Sequence, residues 1–327
     1  MPVLSVLRSA AVVATAALAA WLPAGAAAQT WPDKPVRLVL PYPPGGNVDG
    51  AARIVSEQLQ QVFKQPFLVD NRPGAGGMIA GEAVAKAAPD GTTFFMGANG
   101  PILFSPLIFK RAAYDWKKDF VPVGSVSFTP LVLQVHPSVP YRTIGELLAA
   151  AKKDNRINMA SPGAGTTNHL VSEFLQRESG AKWTTVHYKG NAPATTDLLG
   201  GQVQFNFDQL SVAQPFIQQG RTRALAVTSA KRVPQLPDVP TLQEAGFKDF
   251  EAETFTGILA PAGTPKEIVV RFSDALRRIL ADKAVQEKFQ TLGAEARAMS
   301  PDEFQRFLAK EDARWTPVIK QSNITAE

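Results

Sequence analysis

Apolar positions along the chain alternate between two rhythms. Short, nearly unbroken runs such as VRLVL at 36–40 and TTFFMGA at 92–98 have the pattern of strands covered on both faces. Between them, VDGAARIVSEQLQQVF at 48–63 and IAGEAVAKA at 79–87 place apolar residues three or four apart, the spacing of amphipathic helices. PFLVDNR at 66–72 is a further short strand, and Pro89-Asp90-Gly91 is a turn. The resulting strand–helix–strand–helix–strand order predicts a parallel sheet with helices on both faces. Ligands of such sheets sit beyond the carboxyl ends of the strands. The loops that leave strands, at 41–49, 71–78 and 97–104, therefore become the candidates for chemistry.

The alternation restarts at Phe120. VPVGSVSFTPLVLQVHP at 121–137 predicts two strands, and TIGELLAAAKKD at 143–154 a helix with Thr143 as N-cap and Glu146 completing a capping box. INMASPGAGTTNHLVSEFLQRESG at 157–180 is a strand, a glycine-rich loop and a helix. Strands follow at 183–190, 203–210 and 223–230, with helices at 194–201 and 213–220. Residues 231–250 are rich in proline and lack periodicity. ETFTGILAPAG at 253–263 is another strand. PKEIVVRFSDALRRIL at 265–280 is a strongly amphipathic helix with Pro265 in its first turn, and two more helices fill 284–293 and 301–315. The pattern as a whole predicts two similar α/β lobes, 29–127 with 251–327 forming the first and 128–250 the second.

The first residues stand apart from this pattern. Arg8 precedes the apolar run AAVVATAALAAWLPAG, which ends at Ala26-Ala27-Ala28. A basic residue, a short apolar stretch and small residues describe an export signal, 1–28, cleaved near Ala28. A membrane anchor is the alternative, but the run is short and contains Pro23. The expected location is the periplasm. The 327 residues, 45% hydrophobic and 19% charged, suffice for a full core and exclude a disordered chain. There is no cysteine, so neither disulfide nor thiolate chemistry is open to it. The net charge of +5 is spread along the chain without a basic block, which argues against a nucleic-acid partner.

Two loops share one form. Pro43-Pro44-Gly45-Gly46-Asn47-Val48-Asp49 and Ser161-Pro162-Gly163-Ala164-Gly165-Thr166-Thr167-Asn168 each follow a strand and open a helix. A helix start offers unpaired N–H donors and a partial positive charge, an anion site that needs no lysine. With one loop in each lobe, a small anion could be held from both sides of a cleft. The plainer alternative is two ordinary strand–helix connections whose glycines ease the turns. Neither loop ends in G-K-[ST], and Gly163-Ala164-Gly165 lacks the third glycine of a dinucleotide loop. A third turn, Asn71-Arg72-Pro73-Gly74-Ala75-Gly76-Gly77, either lines the same cleft or serves helix packing. Two strand ends, Val186-His187-Tyr188-Lys189-Gly190 and Phe205-Asn206-Phe207-Asp208, are placed for ligand contact or for capping. Ser161, His169 and Asp208 could suggest a hydrolytic triad, but no G-x-S-x-G elbow exists, and His136, His169 and His187 have no metal-ligand spacing. No cofactor is expected.

The ordered set WPDKPVRLVLPYPPGGNVDGAARIV, VDNRPGAGGMIAGEAVAKAAPDG, SPGAGTTNHL, VHYKGNAPATTDLLGGQVQFNFD, LPDVPTLQEAGF and GILAPAGTP resembles the Bug family, periplasmic solute receptors of tripartite tricarboxylate transporters. The resemblance spans essentially the whole chain after the export segment. It implies a two-lobed type II periplasmic-binding-protein fold, each lobe a mostly parallel sheet flanked by helices, with a ligand cleft between them. It implies a receptor that captures a dicarboxylic, tricarboxylic or aromatic acid and delivers it to integral-membrane transporter subunits; a monomer is expected. An enzyme acting on an organic acid, or a partner of a signalling receptor, remains the alternative. Carried onto this sequence, the carboxylate-binding positions are Pro44, Gly45, Gly46 and Asp49 in the first loop, and Ser161, Ala164, Gly165, Thr166 and Thr167 in the second. Tyr188 and Asp208 match cleft-lining positions. Tyr42 stands where the family usually has phenylalanine, His187 where it has proline, and Asn206 where it has an apolar residue. These departures are expected to tune recognition of the far end of the ligand.

Overall fold

β1 (Val36–Leu40) buries every side chain except Arg37. It lies between two parallel neighbours, β2 (Phe67–Asn71) and β3 (Thr93–Ala98). The crossovers are α1 (Asn47–Phe63) and α2 (Met78–Ala85). The computed structural model in which these elements are seen describes residues 31–154, 156–248, 250–321 and 324–326. The expected export segment lies outside them. Val48, Ala51, Ala52, Val55 and Leu59 form the buried face of α1 and share a core with Leu38, Leu40 and Phe94. Lys64 ends the helix in the left-handed region, its N–H donating to the Gln60 carbonyl.

Past β3, helical turns at Gly100–Phe104, Ser105–Ile108 and Trp116–Asp119 lead into β4 (Phe120–Val135). The chain continues as α3 (Ile144–Ala151), β5 (Asn158–Ser161), α4 (Thr167–Ser179), β6 (Thr184–His187), α5 (Asn191–Leu199), β7 (Phe205–Gln209), α6 (Leu210–Gln218) and β8 (Arg223–Val227). It then returns through β9 (Glu253–Pro261), α7 (Lys266–Ala281), α8 (Lys283–Thr291), β10 (Glu295–Ala296) and α9 (Pro301–Gln321). The strand order is β2-β1-β3-β9-β4-β7-β5-β6, with β8 and β10 also pairing with β4. In both lobes three parallel strands carry crossover helices, and antiparallel strands close one side.

The sequence pattern predicts two strands over 121–137, but the structure holds one strand of 16 residues. Proline and glycine ordinarily interrupt a strand, and Pro122, Gly124 and Pro130 all lie within this one. The register shifts between Pro122 and Gly124 and again between Ser125 and Ser127, so bulges absorb the first two. Pro130 sits where the partner changes. β4 pairs with β9 from Phe120 to Pro130, and with β7 and β8 beyond it. This one strand crosses from the first lobe to the second.

The return crossing is fastened by Thr228, which is fully buried. Its hydroxyl donates to the Ala252 carbonyl (2.6 Å) and accepts from the Leu131 N–H (2.9 Å). Its own N–H donates to the Leu131 carbonyl (2.9 Å). Thr228→Val keeps the shape but strands a buried donor and a buried acceptor. It should destabilise the protein by about 2 kcal/mol, read as a lower urea midpoint at unchanged slope.

The C-terminal helices cover the first lobe. Phe272 on α7 meets Phe94 edge-on, ring centres 4.7 Å apart, and Phe304 on α9 is fully buried. A Cβ at Gly257 of β9 would stand 2.2 Å from the Phe304 ring, which is why that strand position carries no side chain.

Candidate functional site

The carboxyl ends of β1, β3, β5, β6 and β7 face one seam between the lobes, and across it the lobes touch. Ser211 Oγ at the start of α6 donates to Asn47 Oδ1 at the start of α1 (2.7 Å), and Gln209 Nε2 donates to Thr254 Oγ1 on β9 (2.9 Å). At Gly100 the backbones are so close that an added Cβ would stand 2.7 Å from the Gly165 carbonyl oxygen.

The first loop is held in shape by Asp49. Its carboxylate accepts from the Gly45 N–H (3.0 Å), from Asn71 Nδ2 (3.1 Å) and from both arms of Arg53 (2.9 and 3.1 Å). Burial works against the charge, but Arg53, the Gly45 N–H and Asn71 together hold the carboxyl below its usual range. Asn71 Nδ2 also donates to the Tyr42 carbonyl (2.9 Å), so one amide ties both ends of the loop. Gly46 is the N-cap of α1 and supplies no side-chain acceptor. The first-turn N–H groups of α1, including those of Asn47 and Val48, thus have no helical or capping partner.

The second loop is built differently. Ser161 Oγ donates to the Gly163 carbonyl (3.0 Å) and accepts from the Gly163 N–H (3.2 Å). Thr166 caps α4: its hydroxyl accepts from the His169 N–H (3.3 Å) and donates to the Gly163 carbonyl (2.8 Å). Gly165, with φ of +76°, donates its N–H to His169 Nδ1 (3.2 Å). That bond makes Nδ1 the acceptor and leaves the proton on Nε2. Burial, and secondly His187, push the His169 pKa down to about 3, so the ring stays neutral and holds the loop. The His169 and His187 rings meet edge-on at 4.6 Å.

Between these loops lies a central cavity of about 20 Å³, room for about one water. Asn47 and Val48 of α1, Thr167 and Asn168 of α4, Asn191 at the start of α5 and Gln209 at the N-cap of α6 line it, so four helix starts converge there. Tyr42, Ala98, Pro162, Thr166 and Thr254 complete the wall, and none of the lining side chains is charged. Each of these four helices presents the positive end of its dipole to the cavity. Tyr42, Pro162 and Thr166 also border a second chamber of about 130 Å³ at the cleft mouth, where Ala164, His187, Tyr188 and Lys189 meet the 73–77 turn. Burial raises the Tyr42 phenol far above its usual value. Tyr188 donates its hydroxyl to Asp197 Oδ2 (2.6 Å), and burial followed by that contact push its pKa up to about 12.

Asp208 lies behind the wall, fully buried. It accepts from Asn191 Nδ2 (2.6 Å), Thr195 Oγ1 (2.9 Å), the Gln209 N–H (3.0 Å) and Asn206 Nδ2 (3.4 Å). Burial raises its pKa to about 6, the four donors pulling the other way. Asn191 Nδ2 also reaches Gln209 Oε1 (2.7 Å), and Gln209 Nε2 reaches Asn168 Oδ1 (2.9 Å). The carboxylate thereby orients a chain of amides that faces the cavity.

The residues singled out in the sequence thus fall into groups. Tyr42, Thr166 and Thr167 line the central cavity; Ala164, His187 and Tyr188 line the mouth; Gly45, Gly46 and Asp49 line a third chamber behind Asn47. Pro44 is exposed, and Ser161, Gly165 and Asp208 support the walls from behind. Asn191, Gln209 and Thr254 were not foreseen. The first two directly follow a glycine and an acid at strand–helix junctions, a signal that could have marked them, whereas nothing local marks Thr254. Among the described residues no group of three or more His, Asp or Glu side chains is placed to hold a metal ion.

A family model, that of the tripartite tricarboxylate transporter family receptor, matches residues 51–324. Protein BugT of Bordetella pertussis is 35% identical over 312 residues, covering 95% of this chain and 94% of that protein. Among solved structures, R. palustris Rpa4515 with adipate aligns with a TM-score of 0.88 at 36% identity, covering 90% of this chain and 99% of that one. MatC (Rpa3494) from Rhodopseudomonas palustris with bound malate aligns with a TM-score of 0.83 at 31% identity, covering 88% and 100%.

Proposed function

Because the chain belongs to the tripartite tricarboxylate transporter receptor family, we propose that it is a periplasmic receptor that closes two lobes over a small carboxylate and delivers it to the transporter's membrane subunits. The observation that carries this reading is the convergence of four helix starts on one uncharged cavity. Open N–H donors at α1 and α4 would take the carboxylate oxygens, and the Asp208-anchored amides of Asn191 and Gln209 would complete the cradle. Charge-assisted hydrogen bonds are worth about 1.5–3 kcal/mol each, so a handful supports micromolar affinity after the entropy of association. The relatives seen with adipate and with malate hold acids of this kind.

In this reading residues 29–127 with 251–327 move as one lobe and 128–250 as the other. A central cavity of about 20 Å³ admits no carboxylate unless they part. The chain would act as a monomer after losing its export segment. Catalysis is disfavoured because Ser161, His169 and Asp208 bond to Gly163, Gly165 and Asn191 respectively, never to one another. A thermal-shift screen of mono-, di-, tri- and aromatic carboxylates is the direct test. At least one acid should raise Tm by several degrees, growing with the logarithm of its concentration, and should be recovered unchanged after long incubation. If only neutral or cationic solutes raise Tm, the carboxylate reading is lost; if the acid is consumed, the receptor reading is.

A further inference from the structure

The chamber behind Asn47 differs chemically from the other two. It holds about 140 Å³ and is walled by both lobes, with Ala51, Phe289 and Leu292 on one side and Val212 on the other. A space of this size accommodates a body about as large as benzene. Two polar atoms beside it, Asn47 Nδ2 and Ser127 Oγ, have no hydrogen-bond partner among the described residues. Asn47 is 6% exposed and Ser127 0%, and both atoms are closed to water in this arrangement, so a guest's acceptor meets Nδ2 as the lobes part to admit it. Asn47 Oδ1 is held by Thr129 Oγ1 (3.1 Å) and Ser211 Oγ (2.7 Å), which fixes the amide plane and leaves Nδ2 as the open donor. Buried donors without an acceptor are rare in native proteins because they forfeit hydration for nothing.

Asp49 limits what charge can enter. Its carboxylate borders this chamber, and Arg53, whose side chain is 60% exposed, offsets it from the solvent side. A second carboxylate in the chamber would face Asp49 at short range, whereas a neutral oxygen would not. Asn47 borders both this chamber and the central cavity, so an acceptor beside the bound carboxylate lies within its reach.

Building on the central cavity as the carboxylate site, we propose that the preferred ligand is a monocarboxylate with a 2-oxo or 2-hydroxy oxygen. That oxygen accepts from Asn47 Nδ2, and a short apolar tail fills the space between Val212 and Phe289. The test is calorimetric titration of the mature protein with 4-methyl-2-oxopentanoate, its deoxy analogue 4-methylpentanoate, and hexanedioate of the same carbon count. The oxo acid should bind at least about tenfold tighter than either. Asn47→Ala should cut the oxo-to-deoxy ratio to about threefold or less. Val212→Phe, at a half-buried position that tolerates bulk, should shift preference from 4-methyl-2-oxopentanoate toward pyruvate by about tenfold. An oxo-to-deoxy ratio near one, or hexanedioate as the tightest of the three, overturns the inference while leaving the carboxylate site standing. Binding of none of the three acids also overturns the inference, and the carboxylate site falls with it only where the wider thermal-shift screen finds no acid that raises Tm.

Discussion

Gly100→Ala should weaken ligand binding by at least about tenfold, roughly 1.4 kcal/mol, with little change in the stability of either lobe. Gly100 lies in a helical turn of the first lobe and is not among the positive-φ glycines, so alanine suits its own backbone. The added methyl would instead meet the second lobe. It would stand 2.7 Å from the Gly165 carbonyl oxygen and 3.3 Å from Thr166 Cα, both backbone atoms that cannot swing away, and 3.2 Å from the Tyr42 hydroxyl. Relief requires the lobes to part by some tenths of an ångström. That stretches the Ser211–Asn47 and Gln209–Thr254 bonds and separates the helix starts that cradle the anion. A closed state raised in energy lowers apparent affinity by the same factor. Gly145→Ala, at an exposed helical position where the new Cβ meets only Thr143 Oγ1 at 3.9 Å, is the control and should leave affinity unaltered. Titration of both variants decides it: affinity of Gly100→Ala within about threefold of the parent would mean that the tight closure is not required for binding.

The second large effect is expected at Asp208. In Asp208→Asn the side-chain nitrogen would replace one oxygen that now accepts from Asn191 or Thr195, setting donor against donor in a dry site. Asn191 and Gln209 would lose their orientation, and affinity should fall about tenfold or more. The same variant should change how stability depends on pH. The folded pKa of Asp208 is raised to about 6 by burial, above the value of 3.8 that the carboxyl has when exposed to water, so folding favours the protonated acid. Its contribution to stability is therefore complete below about pH 4 and is lost as pH rises through 6, a swing on the order of 3 kcal/mol. His169 acts in the opposite sense. Its pKa is depressed to about 3, so its contribution is complete above about pH 6.5 and is lost as pH falls toward 3. The two slopes oppose one another in the parent protein. Chemical denaturation at pH 5 and pH 7.5 should show Asp208→Asn gaining relative to the parent as pH rises; a difference that stays constant with pH would assign Asp208 an ordinary pKa.

Much of this architecture was legible because its signals are local. Continuous apolar runs bounded by glycine and proline gave the parallel strands, and three-to-four spacing gave the helices between them. The capping of α3 by Thr143, whose hydroxyl accepts from the Glu146 N–H at 3.2 Å, was equally visible. The single long β4 was not, because proline and glycine ordinarily end strands and only the register of β9 reveals the bulges that accommodate them. In the site, the two glycine-rich helix starts could be recognised, but the direction of individual N–H groups could not. Gly45 and Gly165 signal a permissive backbone, yet their N–H groups point to Asp49 and His169, and the open donors come two or three residues later. Asn191, Gln209 and Thr254 belong to separate elements of both lobes, and only tertiary packing brings them to one wall.

Because β4 is woven into both sheets, neither half of the molecule is self-sufficient. Severing the chain near Pro130 would bare an unpaired edge on each fragment at once. Opening of the lobes is accordingly expected to twist this strand where it changes neighbours and not to slide it, since a slip would break its ladder with β9 in one sheet and its ladders with β7 and β8 in the other together.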